Sequence, residues 1–105
     1  MEEEKEVDRI NLTENEETVE LKGVRAYPNP FRLHTTVEYH LTAPAQTEIR
    51  VFDSSGRLLT TLLNEVVSSG NHRINWQPTD APAGIYIIQV VVENQPPQMV
   101  RVSRL

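Results

Sequence analysis

Cysteine is absent from the 105 residues, which excludes a disulfide scaffold and a thiolate metal site. No run of 18 apolar residues occurs, so the sequence holds no transmembrane segment of the helical kind. No basic-then-apolar leader opens it. The four glycines each stand alone, so no glycine-rich loop is available to cradle a phosphate. No segment sustains a helical apolar period, and no helix longer than a turn is expected. A chain of 12.0 kDa makes one domain, whose folding removes roughly 65% of the unfolded surface from water.

Charge of one sign is scarce after residue 22. Residues 1–22 hold nine acids against three bases, whereas residues 23–105 hold six acids against seven bases. The overall charge of −5 therefore belongs to the front segment. The seven bases of 23–105 are all arginines, scattered along the chain. Nucleic-acid binding wants basic residues clustered with aromatics, so no nucleic-acid partner is expected. Residues 1–22 have too few apolar side chains to offset the entropy of ordering, and they read as an acidic, loosely ordered linker. Within them Thr18–Lys22 alternates, as an extra edge strand or as the end of the linker, with the linker favoured.

Tyr27-Pro28-Asn29-Pro30-Phe31 divides that linker from the rest of the chain. Two prolines two apart fix φ and push Tyr27 and Asn29 toward extended geometry. Neither ring nitrogen donates, so this is a stiff non-helical entry and not a central strand. Beyond it turn residues recur every 8–14 positions or so, the rhythm of a small antiparallel sandwich or barrel. Strands are expected at Val24–Tyr27, Thr35–Leu41, Thr47–Asp53, Leu58–Leu63, Asn71–Gln77, Gly84–Glu93 and Gln98–Ser103. Alternation assigns Val37, Tyr39, Leu41, Ile49, Val51, Ile74 and Trp76 to a core. Ile85–Val92 is apolar except at Gln89, which predicts a mid-sheet strand covered on both faces. Asp53-Ser54-Ser55-Gly56 carries the acceptor and the glycine of a tight turn, as Gly70-Asn71 and Pro82-Ala83-Gly84 do elsewhere.

Chemistry-bearing residues do not assemble into a reaction. A nucleophile needs an oriented base within hydrogen-bond reach, and His34, His40 and His72 read as surface imidazoles. Their spacing fits no zinc pattern, Asp53 and Asp80 read as turn formers, and neither metal nor cofactor is expected. Trp76 could be a sugar-stacking platform, but it alternates in phase with aliphatic neighbours and reads as core.

Four motifs occur in order: Tyr27-Pro28-Asn29-Pro30-Phe31, Val51-Phe52-Asp53-Ser54-Ser55-Gly56-Arg57, Ala83-Gly84-Ile85-Tyr86-Ile87 and Met99-Val100-Arg101-Val102. Together they resemble the C-terminal sorting domain of the type IX (Por) secretion system, type A, over about residues 24–105. The pattern is also similar to the immunoglobulin-like domain of the flagellar hook-capping protein. The resemblance implies an all-β fold, an immunoglobulin-like antiparallel β-sandwich of about seven strands over 23–105. It implies a non-catalytic signal on a secreted cargo of a Bacteroidetes-type bacterium, carried from the periplasm through an outer-membrane translocon to the cell surface. The implied partners are the N-terminal cargo domain, the type IX translocon and a surface sortase that removes the domain. By position, Pro28, Asn29 and Pro30 match the first motif, Gly56 and Arg57 the second, and Gly84 and Tyr86 the third. Met99, Val100, Arg101 and Val102 match the last. The lysine-rich ending common in that family is replaced by Arg101, Arg104 and Leu105, and no cleavage site can be placed upstream.

Two other readings of the same residues stay open. One is a structural spacer in a multidomain secreted enzyme; the other is a carbohydrate-binding module with Trp76 exposed. For the sorting reading, the terminal strand, if it lies at a sheet edge, offers unpaired N–H and C=O groups for strand addition.

Overall fold

Alternating apolar and polar residues produce seven strands and no helix in the computed structural model, which describes residues 19–105. They are β1 (Leu21–Tyr27), β2 (Thr35–Leu41), β3 (Ala45–Asp53), β4 (Leu58–Val67), β5 (Gly70–Trp76), β6 (Gly84–Val92) and β7 (Gln98–Arg104). Every neighbouring pair is antiparallel. One sheet has the order β1-β2-β5 and the other β4-β3-β6-β7. The sheets pack as a sandwich with the immunoglobulin-like sequence of strands. β4 pairs with β3, whereas the constant-type arrangement would place it beside β5.

The core comes from one face of each sheet. Val37, Tyr39 and Leu41 of β2 face Ile49 and Val51 of β3, Ile88, Val90 and Val92 of β6, and Val102 of β7. Ile74 is only partly buried beside them. Thr35 and Thr47 are buried too, and each hydroxyl donates to a backbone carbonyl, of Pro28 and Ala45 respectively. Buried polar groups so satisfied carry little desolvation cost.

Two expectations are corrected here. Leu21 and Lys22 do not end the linker but start β1, and Val19 and Leu21 are buried in the core at 3% and 5% exposure. The cause is continued pairing: the Glu20 carbonyl accepts the Thr42 N–H, and the Glu20 N–H donates to Thr42 Oγ1. Residues 1–18, the rest of the expected linker, lie outside the described residues. The second correction concerns β6. It does lie mid-sheet between β3 and β7. Its outer face, with Ile85, Ile87 and Val91, is only half-buried, because the sandwich has two layers and nothing among the described residues covers it.

Strand direction positions the candidate site. An antiparallel sandwich sends alternate connections to opposite poles. The β1–β2, β3–β4 and β5–β6 connections and the end of β7 lie at one pole. The start of β1 lies at the other, in register with Leu41 and Gly70. At ~3.3 Å per residue the poles stand roughly 25 Å apart.

Candidate functional site

The Tyr27–Phe31 segment leaves β1 as a short strap with both Tyr27-Pro28 and Asn29-Pro30 bonds cis. Its end is pinned by Phe31, 1% exposed, whose ring lies 5.5 Å from Trp76. Trp76 in turn meets Tyr86 edge-on at 5.3 Å. Such aromatic pairs add roughly 0.5–1.5 kcal/mol beyond the area they bury. Asn29 stays at the surface, and its side-chain amide imitates a piece of strand. Nδ2 donates to the Arg101 carbonyl at 2.8 Å, and Oδ1 accepts the Ser103 N–H at 3.0 Å. Phe31 continues with its backbone: its N–H donates to the Ser103 carbonyl and its carbonyl accepts the Leu105 N–H, both at 2.9 Å. Four successive hydrogen bonds thus sew the strap along the outer edge of β7, with a parallel bridge between Phe31 and Arg104.

This narrows the expectation that the terminal strand offers open groups to a partner: from the Arg101 carbonyl to Leu105 they are taken, and the strap does not extend to Met99. β7 is the last strand of its sheet, but its edge toward the end of the chain is occupied by the strap. Proline spacing alone shows no destination for the strap, and only the tertiary structure reveals that Asn29 is 72 residues from its partner Arg101.

The second motif closes the β3–β4 hairpin. Asp53 Oδ1 accepts from the Ser55 N–H, the Ser55 hydroxyl and the Arg57 N–H, while Oδ2 accepts from Arg57 Nε at 3.1 Å. These donors, the Ser55 hydroxyl above all, hold the Asp53 carboxyl down at about 2, against an ordinary 3.8. Gly56 sits at φ 90°, where a side chain would be strained. Arg57 is spread over the turn by its bond to Asp53.

The third motif is built around Tyr86. Its hydroxyl donates to the Pro82 carbonyl, tying the start of β6 to the connection before it, in the manner of a tyrosine corner. Gly84 opens β6 opposite Arg104. The sequence placed Arg104 in the terminal strand without assigning it a contact; its guanidinium binds two connections at once. Nε donates to the Arg32 carbonyl and Nη1 to the Ala81 carbonyl, at 3.0 and 2.7 Å. Nothing in the sequence points to these two distant carbonyls as its partners.

Pro28, Asn29, Pro30, Gly56, Arg57, Gly84 and Tyr86 therefore gather at one pole, while Arg101 lies at the middle of β7 with its carbonyl held by Asn29. Met99 and Val100 lie farther away, in the first half of β7 opposite Gln89 and Ile88. Met99 is exposed at 61% and Val102 is core. The same pole concentrates exposed apolar side chains, with Leu33 at 67%, Leu105 at 60%, and Tyr27, Leu58 and Leu59 beside them. Apolar residues at loop tips next to Arg32, Arg57 and Arg101 suit contact with a protein better than contact with water alone.

The groups considered for chemistry lie elsewhere or are already engaged. His40 Nδ1 contacts Asn71 Oδ1, His72 Nε2 contacts the Ser68 carbonyl and stacks on Tyr39, and His34 is exposed near the strap. Glu38 is shared by Arg25 and Arg73 on the outer face of the three-stranded sheet, and the Arg25 hydrogen bond chiefly lowers its pKa. Trp76, at 4% exposure, cannot serve as an exposed sugar platform and belongs to the core.

Comparison with known families finds a match over residues 25–101, to the family described as the Secretion system C-terminal sorting domain. No curated protein matches the chain.

Proposed function

Because this chain belongs to the secretion-system C-terminal sorting domains of the type IX pathway, we propose that its motif-bearing pole is the surface the machinery reads. In this reading a cargo joined through the acidic segment is carried from the periplasm through the outer-membrane translocon. A surface sortase then removes the domain. The domain reacts with nothing; it is recognised.

The observation that carries the reading is convergence. The first three motifs, spread along the chain from Tyr27 to Ile87, meet at one pole, where Asn29 ties them to β7, and the chain enters at the other. A cargo attached at the entry end leaves the motif pole unobstructed. A rigid fold presents that pole in one geometry, so recognition costs little ordering entropy.

The test uses the 105-residue chain fused behind a periplasmic reporter in a type IX host. Export of the reporter is expected, with the domain missing from the surface product by mass. Replacing Leu33 and Leu105 together by aspartate is expected to cut export at least tenfold while circular dichroism and Tm stay unchanged. A wild-type fusion that stays in the periplasm would sink the sorting reading and favour a spacer domain.

A further inference from the structure

We propose that the free edge of β4 accepts an extended strand from a partner protein, whose alternate apolar side chains fill the slot between β4 and β5. This inference stands apart from the sorting reading and locates strand addition on the side of the sandwich opposite the terminal strand.

Among the described residues β4 pairs only with β3, and no other backbone or side chain hydrogen-bonds to its outward groups. Exposed strand edges are normally blunted by lysine, proline, inward charge or a bulge that twists the edge away. Leu58-Leu59-Thr60-Thr61-Leu62-Leu63 carries no lysine, proline or charge. The one irregularity is a pair of bulges: the register against β3 shifts at Ile49/Arg50 and again at Val51/Phe52, leaving Leu62 and Leu59 as the extra residues. Bulges re-aim side chains. Here both extra leucines line a cleft of about 860 Å³ that runs between β4, the end of β5 and the start of β6. A second hollow, of about 450 Å³, continues the seam past Leu63 and Val67 toward the other pole.

The shape and chemistry of the seam select the occupant. A row of unpaired N–H and C=O groups is satisfied by another strand at its own spacing. A slot bounded by two strand edges admits one extended chain and not a second folded domain. Its walls include Leu59, Leu62, Trp76 and Tyr86, so the inward side chains must be uncharged. Its charged lining is Asp53, Arg57 and Asp80, one base against two acids or −1. That favours a basic residue where the strand leaves at the pole. The cleft is also continuous with the pole, because Asp53, Arg57, Gly84 and Tyr86 line both.

The test titrates the 105-residue protein with a fluorescein-labelled ten-residue peptide of alternating valine and threonine ending in lysine. A version with proline at every second position serves as control. Saturable binding of the first peptide alone is expected, with amide exchange at Leu58–Leu63 slowed at least tenfold and Trp76 emission shifted. Leu59→Lys is expected to weaken binding at least tenfold with Tm unchanged; Thr61→Lys, at an exposed position, replaces it if the first variant does not fold. Equal binding of the proline control, or protection appearing at β7 in place of β4, would overturn the proposal. So would protection of β4 by self-association without peptide, which would give the edge to a second copy.

Discussion

The two long sides of this sandwich face the same problem and meet it differently. On one side β1 and β7 end their sheets, and the strap from Asn29 to Phe31 closes the chain-end half of the β7 edge with four hydrogen bonds. Gln98 adds a fifth across the gap, donating to the Leu21 carbonyl at 2.9 Å. On the other side β4 and β5 are consecutive in sequence yet belong to different sheets, and their edges part to leave a seam. Consecutive strands that fail to pair mark the place where the two sheets separate. The closed side depends on side chains far apart in sequence, and the open side on a local choice of partner by β4. Edge exposure is therefore not a property of a strand's position at the end of a sheet. It depends on whether a loop returns to satisfy that edge.

The difference can be broken from the closed side first. Phe31→Ala removes a fully buried ring and frees the strap, and it is expected to cost about 3–5 kcal/mol in urea unfolding. Amide protection should fall in β7 before β4. Asn29→Ala keeps the anchor but deletes two of the four hydrogen bonds. A loss of about 1–3 kcal/mol is expected, with faster exchange at the Ser103 N–H as the local mark. On the open side Thr61→Lys should change stability by no more than about 0.5 kcal/mol, since the residue is exposed and the edge has nothing to lose. Away from both sides, Arg25→Ala breaks an exposed ion pair to Glu38 and should lower Tm only slightly, by an amount that shrinks in high salt.

The β3–β4 hairpin gives the pH counterpart. The folded pKa of Asp53, about 2, lies below its ordinary 3.8. The folded state therefore binds this proton more weakly than the unfolded state, and the stabilisation is complete above pH 3.8. It is lost as pH falls from about 4 to about 2. Thermal melts of the wild type should decline across that window, and Asp53→Asn should remove the part of the decline that belongs to this carboxylate.

Much of this was legible in the residues. Turn punctuation and period-two alternation placed all seven strands, and the phase of alternation put Trp76 and Tyr39 inside. Side-chain direction in a strand is a local property, so a local pattern suffices. The misreadings were all questions of coverage. Val19 and Leu21 looked like linker because whether two apolar residues are buried depends on Thr42 and β2, not on their neighbours. Ile85, Ile87 and Val91 looked doubly covered because an apolar run carries no information on how many layers a fold has. The candidate site divided in the same way. Asp53, Gly56 and Arg57 form a local turn and could be read directly. Asn29 acts on the Arg101 carbonyl and Arg104 on those of Arg32 and Ala81, and no spacing rule reaches such distant partners.

Sequence by itself determined the all-β class, the strand boundaries to within a few positions, the phase of the core and the motifs that tie the chain to its family. Those follow from steric and solvation preferences that each residue expresses with its near neighbours. Tertiary structure alone decided that the strap closes β7, that β4 joins β3 and leaves a seam, and that separated motifs share one pole. These are matters of which backbone groups find partners across the chain, and hydrogen bonds between opposite ends of a sequence are settled only once the sheets have packed.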